Sequence, residues 1–263
     1  MKTNVTIMSF NLRCDVPTDP FVWEERKGWV EKIIETYQPD LIGTQEATVP
    51  MLKGLRDRFE DSYEIYGVNR TNSEVQGEFS AVFVKRDKFS IVKKESFMLS
   101  ETPEQIGSFG WDAACERICS WVELTVKDQE MPLLRFFNTH LDHIGQQARL
   151  EGLRLIMTKI KDENSRLHLP VLLTGDFNDV PESGLLDVIE EFQHLNSSYD
   201  ICSPEEKKNG LTFHDFKGLI EGSPIDYILG SQEIEFIATS IIRDRFENGF
   251  PSDHYPVLSH IRL

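Results

Sequence analysis

The sequence predicts an α/β fold, a four-layer α/β/β/α sandwich in which two mixed sheets pack face to face with helices on the outside. Three observations lead there. The chain opens as strand, helix, strand, helix. It then changes to hairpin-like strands between residues 63 and 126. A second round of helix and strands begins at residue 146. With 263 residues, 40% of them apolar, the chain can bury a substantial core, and no Pro, Gly or Ser-rich linker divides it. A single domain over 1–263 is expected.

Residues 5–12 alternate Val5, Ile7, Ser9 and Asn11 against Thr6, Met8, Phe10 and Leu12, the period of a strand. Over 21–37 the apolar residues Val22, Val30, Ile33, Ile34 and Tyr37 are separated by charges, which predicts an amphipathic helix stopped at Gln38-Pro39. A short strand over 41–46 ends on Glu46, and Met51, Leu52, Leu55 and Phe59 mark a second helix. Strand-like runs follow over 63–68, 79–84, 89–99 and 118–126, and the Asp128-Gln129-Glu130 turn leads into another over 133–142. Leu150, Leu153, Ile156, Met157 and Ile160 place a helix over 146–161. The apolar run of 170–178 then closes on Gly175-Asp176-Phe177-Asn178. A short helix is expected over 185–192, and final strands over 211–216, 225–229, 235–243 and 257–261.

Composition narrows the partners. A formal charge of -16 argues against tight, sequence-indifferent binding to long duplex DNA, which needs many Lys and Arg on phosphates. Residues 1–11 lack the continuous apolar segment of a signal peptide, and no stretch approaches the roughly 20 apolar residues of a membrane span. A monomeric cytoplasmic protein is therefore expected. Cys14, Cys115, Cys119 and Cys202 match neither a disulfide scaffold nor a zinc pattern, so free buried thiols are expected.

Polar residues recur where apolar runs begin or end: Asn11, Glu46, Asn138, His140, Asp142, Asp176, Asn178, Asp226, Asp253 and His254. One strand-end Asp or Asn is ordinarily a turn former. So many at equivalent places predict a shared rim. Asp176 and Asn178, two apart on a strand, share a face. Carboxylates such as Glu46 and Asp253 suit Mg²⁺ or Mn²⁺, which takes one or two protein carboxylates plus water and substrate phosphate. Asp226 is a candidate partner for His254, fixing its tautomer, and Asp176 is a candidate base toward water.

Six motifs occur in order: Ser-Phe-Asn at Asn11, Thr-Gln-Glu-Ala at Glu46, Asn-Thr-His-Leu-Asp at His140, Gly-Asp-Phe-Asn at Asp176, Ile-Asp-Tyr-Ile at Asp226 and Ser-Asp-His at His254. Together they resemble the signature of the endonuclease/exonuclease/phosphatase superfamily, across essentially the whole chain. The resemblance implies Glu46 as principal metal ligand, Asn11 as ligand or orienter, and Asp253 as a second metal-side carboxylate. It also implies Asp176 and Asn178 as the water-activating and phosphate-binding pair, His254 held by Asp226 at the scissile phosphate, and His140 as a second phosphate contact. Glu78 resembles the carboxylate that pairs with His140 in the deoxyribonuclease branch.

One position departs from the abasic endonucleases, which carry an acid where Arg13 stands. Arg13 and Arg117 are each read either as substrate-phosphate contacts or as salt-bridge residues. Phe109 and Trp111, in the 99–111 loop, either stack on substrate or cover the sheet rim. The expected activity is Mg²⁺- or Mn²⁺-dependent hydrolysis of a phosphodiester by in-line attack of water, on short or single-stranded RNA or DNA. The alternatives are a phosphomonoester such as an inositol phosphate, a sphingomyelin-like lipid, or, in another class, a catalytically silent binding module.

Overall fold

Each of two six-stranded sheets is built around one parallel strand pair joined through a helix. The computed structural model describes residues 3–192, 195–247 and 249–263. In the first sheet β1 (Asn4–Asn11) runs through α1 (Trp23–Tyr37) to its parallel neighbour β2 (Leu41–Thr48), which is followed by α2 (Val49–Phe59). β3 (Tyr63–Tyr66) and β4 (Glu78–Lys85) extend it in antiparallel fashion. The second sheet takes β5 (Phe89–Met98), β6 (Ile118–Val126) and β7 (Pro132–His140), crosses through α3 (Gln146–Arg166) to the parallel β8 (Val171–Asp176), and adds β9 (Leu195–Ser197) and β10 (Asp226–Ser231). β11 (Glu235–Ile241) and β12 (Val257–Arg262) return to the first sheet, giving the orders β11-β12-β1-β2-β4-β3 and β5-β6-β7-β8-β10-β9.

The alternating pattern of the sequence becomes layers. Ile7, Leu41 and Val82 face Val122, Phe136 and Leu172 between the sheets, while Met8, Phe10 and Ile42 turn outward onto Val30, Ile33, Leu52 and Leu55 of α1 and α2. On the far side Leu153, Ile156, Met157 and Ile160 of α3 cover Trp121, Phe137 and Leu173. Each fully buried Val, Leu or Ile side chain contributes roughly 1.5–3 kcal/mol, which makes the shared middle layer the main adhesive of the sandwich.

Toward the strand ends that middle layer turns polar. Gln45 Nε2 donates to Asn138 Oδ1 at 2.7 Å, Thr174 Oγ1 donates to the same oxygen at 3.0 Å, and Asn138 Nδ2 donates to the carbonyls of Thr44 and Ala81 at 2.8 and 3.0 Å. Asn138, expected on the rim, is thus a buried tie between the sheets. The sheets approach so closely here that a Cβ on Gly43 would lie 2.0 Å from Thr174 Oγ1 and 2.4 Å from Asn138 Oδ1. Arg26 is fully buried as well, its guanidinium donating to the carbonyls of Phe21, Leu12, Arg13 and Pro251. It joins the loop after β1 to the loop before β12.

Three expectations need correction. Residues 211–216 form a loop rather than a strand, with an isolated bridge, Phe213↔His254, in place of a ladder. Their amides are taken by single acceptors, such as the Asp253 carbonyl for His214 and Asp215, and Asp215 and Phe216 are left-handed at φ 51° and 55°. The helix expected over 185–192 shrinks to α4 (Asp187–Glu190), because i to i+3 bonds at Val188 and Ile189 tighten the turn. The thiols are free, but only Cys119 is buried, and the other three are half-buried. β9 and α5 (Pro204–Lys208) were not anticipated, although Ser203 and Glu206 form a capping box in which each side chain accepts from the other's N–H. No helix among the described residues is long and apolar enough to cross a membrane.

Gly43→Ala forces the sheets apart at this polar seam and is expected to cost at least about 2–3 kcal/mol. A urea midpoint unchanged from wild type would contradict the close approach.

Candidate active site

Strand register sets the centre of the site. His140 on β7 pairs in register with Asp176 on β8, and Asp176 pairs with Asp226 on β10, so three ionisable side chains stand abreast on one face. The first sheet meets them with Asn11, paired to Gln45 at the end of β1, and with Glu46. Glu46 lies in a bulge of β2, between the pairs of Thr44 and Ala47 with β4, and has a left-handed φ of 62°. The extra residue turns its carboxylate out of the ladder toward the rim. Asn178 has a φ of 50°, a conformation asparagine tolerates better than most residues.

Asn11 spans the two sheets, its Nδ2 donating at 2.9 Å to both Glu46 Oε1 and Asp176 Oδ2. Its Oδ1 accepts from the Arg13 N–H at 2.9 Å, which orients the amide so that it holds the two carboxylates. Glu46 Oε2 accepts from the Cys14 N–H at 3.0 Å, and Asp176 Oδ1 from the Asn178 N–H at 2.9 Å. His254 Nδ1–H donates to Asp226 Oδ2 at 2.8 Å, leaving Nε2 3.7 Å from Asp176 Oδ2. Asn178 Nδ2 donates to His140 Nε2 at 2.9 Å and to the Leu141 carbonyl at 3.0 Å. Ser252 Oγ donates to the Asn11 carbonyl at 2.7 Å and so docks the Asp253-His254 loop onto β1.

The electrostatics separate the two histidines. Burial, then the Arg117 and Arg70 charges, push His140 well below the ordinary range, so it is neutral. Because its Nε2 accepts from Asn178, its proton sits on Nδ1, which is buried with no acceptor among the described residues. For His254 burial also opposes charge, but Asp226 and Asp176 overcome it and raise the imidazole above its ordinary range. Burial and the neighbouring Asp226 raise Asp176, and burial and Glu46 raise Asp253. Burial opposes the Glu46 charge too, yet the Cys14 N–H, His254 and Asn11 hold its carboxyl below the ordinary range.

These groups line a cleft of about 320 Å³. Glu46, Asp176, Asp253, His140, His254, Asn178, Arg13 and Arg117 all reach it. Asn11 and Asp226 act from behind through the bonds above. Arg13 donates to Asp19 at 2.7 and 2.9 Å and lies 3.5 Å from Asp253, so the salt-bridge reading describes it at the edge of the cleft. Glu78 does not pair with His140. It accepts from Arg70 Nη2 at 2.8 Å, because the Arg70 side chain folds back along the start of β4. Asp142 is structural, accepting from the N–H groups of Ala114, Ile144 and Gly145 and from Arg117. Phe109 and Trp111 stay off the cleft wall, whereas Phe213, Arg70, Cys115 and His143 line it. Sequence reasoning missed these four. His143, one residue after Asp142 in the third motif, carried the clearest signal.

The donor set fits a hard divalent cation. Carboxylate oxygens of Glu46 and Asp176 lie within 4.8 Å of each other, and burial, with a neighbouring carboxylate, raises Asp176 and Asp253, a crowding that a divalent ion would relieve.

The fold and this rim of carboxylates and histidines define a phosphoesterase-type protein. A model of the Endonuclease/Exonuclease/phosphatase family matches residues 8–254, and the chain belongs to that family, whose members are hydrolases of phosphate esters and generally depend on a divalent metal. It is 34% identical to a family protein of Bacteroides thetaiotaomicron, with a TM-score of 0.91 over 100% of this chain and 98% of that one. A mannosyl-6-phosphatase of the same organism is also 34% identical, with a TM-score of 0.89 over 98% of this chain and 99% of that one. The CCR4-Not complex 3'-5'-exoribonuclease subunit Ccr4 of Candida albicans is 22% identical over 331 residues, covering 99% of this chain, which spans only 41% of that protein.

Asp142 gives a pH test of the rim. Burial opposes its charge, but the N–H groups of Gly145, Ile144 and Ala114, with Arg117, pull its pKa down to about 2. An unfolded aspartate titrates near about 3.9, so the stabilisation is complete above that pH and is lost as pH falls through the folded value. The melting-temperature gap between wild type and Asp142→Asn is therefore expected to narrow from about pH 5 downward, and a pH-independent gap would contradict the assignment.

Proposed function

We propose that this chain is a divalent-metal-dependent phosphoesterase whose substrate is a small phosphate monoester of the sugar-phosphate kind. The observation that carries the reaction is the convergence of Glu46, Asp176 and a charged His254 from both sheets on one cleft. Three facts favour a small monoester over a nucleic acid phosphodiester. The cleft of about 320 Å³ is of small-molecule size. The chain carries a charge of -16. Its likeness to a mannosyl-6-phosphatase at 34% identity extends over nearly all of both chains.

In this reading Glu46 would hold the cation, with Asp253 on the metal side and Asn11 fixing the carboxylate. A bound divalent ion supplies Lewis-acid neutralisation of the phosphoryl and leaving oxygens. Asp176 takes the proton of the attacking water, a task suited to a carboxyl raised by burial beside Asp226. His254, kept charged and oriented by Asp226, donates from Nε2 to a phosphoryl oxygen. Asn178, its two Nδ2 protons given to His140 and the Leu141 carbonyl, keeps Oδ1 to accept from the attacking water.

Asp176→Asn and His254→Ala are each expected to lower kcat by about 10²–10⁴-fold while the circular dichroism spectrum is retained. Full activity in either variant sinks the role assignment. Wild type, supplied with Mg²⁺ or Mn²⁺, is expected to hydrolyse hexose 6-phosphates faster than short oligonucleotides, and exhaustive chelation is expected to abolish the activity. Preferential cleavage of oligonucleotides, toward which the Ccr4 likeness points, would move the substrate back to a phosphodiester.

A further inference from the structure

The cleft has a second wall, and its charge is opposite to the first. Cys115, Asp142 and His143 bring donor atoms within 4.8 Å of one another, an arrangement that on composition alone reads as a cation site. A cation is already there, covalently attached. Arg117 Nε donates to Asp142 Oδ2 at 3.3 Å, and Arg117 Nη2 donates to His143 Nδ1 at 3.0 Å. Asp142 is further occupied by three backbone N–H groups. A metal ion would have to displace a guanidinium whose side chain is 5% exposed.

The same bonds organise donors toward the cleft. Accepting at Nδ1 puts the His143 proton on Nε2, and His143 lines the cleft. A guanidinium has five N–H donors in a fixed fork. Arg117 uses two of them on Asp142 and His143. Arg70, beside it on the cleft wall, uses one on Glu78, and its Nε is buried with no acceptor among the described residues. A buried donor without an acceptor is costly, and an oxyanion relieves that cost.

We infer that Arg70, Arg117 and His143 form an anion cradle for the dianionic phosphoryl group of a monoester and for the inorganic phosphate released from it. The acidic wall takes the cation, and the basic wall takes the anion. Two guanidiniums and an imidazole N–H match a dianion better than the single charge of a phosphodiester, so the cradle sets the preference for monoesters. The preference between esters rests on the function proposed above. Phosphate binding does not.

Arg70 is the residue to change, since the Arg117 ion pair is buried. Inorganic phosphate titrated calorimetrically into metal-free Arg70→Gln is expected to bind at least about tenfold more weakly than to wild type. With Mg²⁺ present, the ratio of kcat/KM for a hexose 6-phosphate to that for bis(4-nitrophenyl) phosphate is expected to fall by about tenfold, and Arg70→Lys to recover part of both losses. Phosphate affinity within twofold of wild type, or equal losses on the two esters, overturns the cradle. Should Arg70→Gln fail to fold, Glu78→Gln serves instead: it frees the Arg70 fork and is expected to tighten phosphate binding, and unchanged or weaker binding overturns the proposal. Wild type that binds phosphate through Arg70 yet hydrolyses no monoester would refute the proposed function and leave the cradle standing.

Discussion

The rest of the structure depends on how closely the two sheets approach where their strands end. Gly43 leaves no side chain between the layers, and Asn138, Gln45 and Thr174 fill the seam with mutual hydrogen bonds. An apolar seam would hold the sheets about 10 Å apart, as side chains interdigitate. The polar one draws the strand ends together, so that a single amide, Asn11, can bond a carboxylate from each sheet. The cleft exists because two separately built halves are registered by groups that tolerate little displacement.

That registration explains the unusual charge balance of the cleft. Glu46, Asp176, Asp226 and Asp253 come from four different segments and are crowded into a small, partly desolvated space. Neutral hydrogen-bond donors and His254 offset only part of the repulsion. Burial, with Asp226 beside Asp176 and Glu46 beside Asp253, keeps both carboxyls raised. Arg70, in the loop between β3 and β4, and Arg117, just before β6, hold positive charge in fixed positions on the other side of the cleft. Each wall draws on both sheets, with Glu46 and Asp176 on the acidic side and Arg70 and Arg117 on the basic side.

Much of this was legible residue by residue. The strands that became β1, β6 and β12, and the helix α1, follow from apolar periodicity within about two residues of their observed ends, because burial against one face imposes that period, whereas α3 runs on to Arg166, past the expected end at residue 161. The ordered motifs located Asn11, Glu46, His140, Asp176, Asn178, Asp226, Asp253 and His254, and all of them meet at the cleft or directly behind it. Where single-residue logic failed, contacts distant in sequence had intervened. Residues 211–216 look like a strand, but the Asp253 carbonyl takes the amides of His214 and Asp215, and the Ile220 carbonyl takes that of Leu211. Asn138 looks like a rim residue, but the opposite sheet claims it. Glu78 looks like a partner for His140, but Arg70, in a polar loop with no distinguishing pattern, reaches it first.

The sequence by itself determined the layers and the inventory of chemical groups, because both depend on local period and residue type. It also placed those groups at strand ends. Only the tertiary structure decided which of them face each other. The bulge that turns Glu46 inward, the register that sets His140, Asp176 and Asp226 abreast, and the arginines that line the opposite wall arise from pairings between strands far apart along the chain. No local propensity encodes those pairings, since register and approach are settled by what each strand meets across the sheet and across the seam.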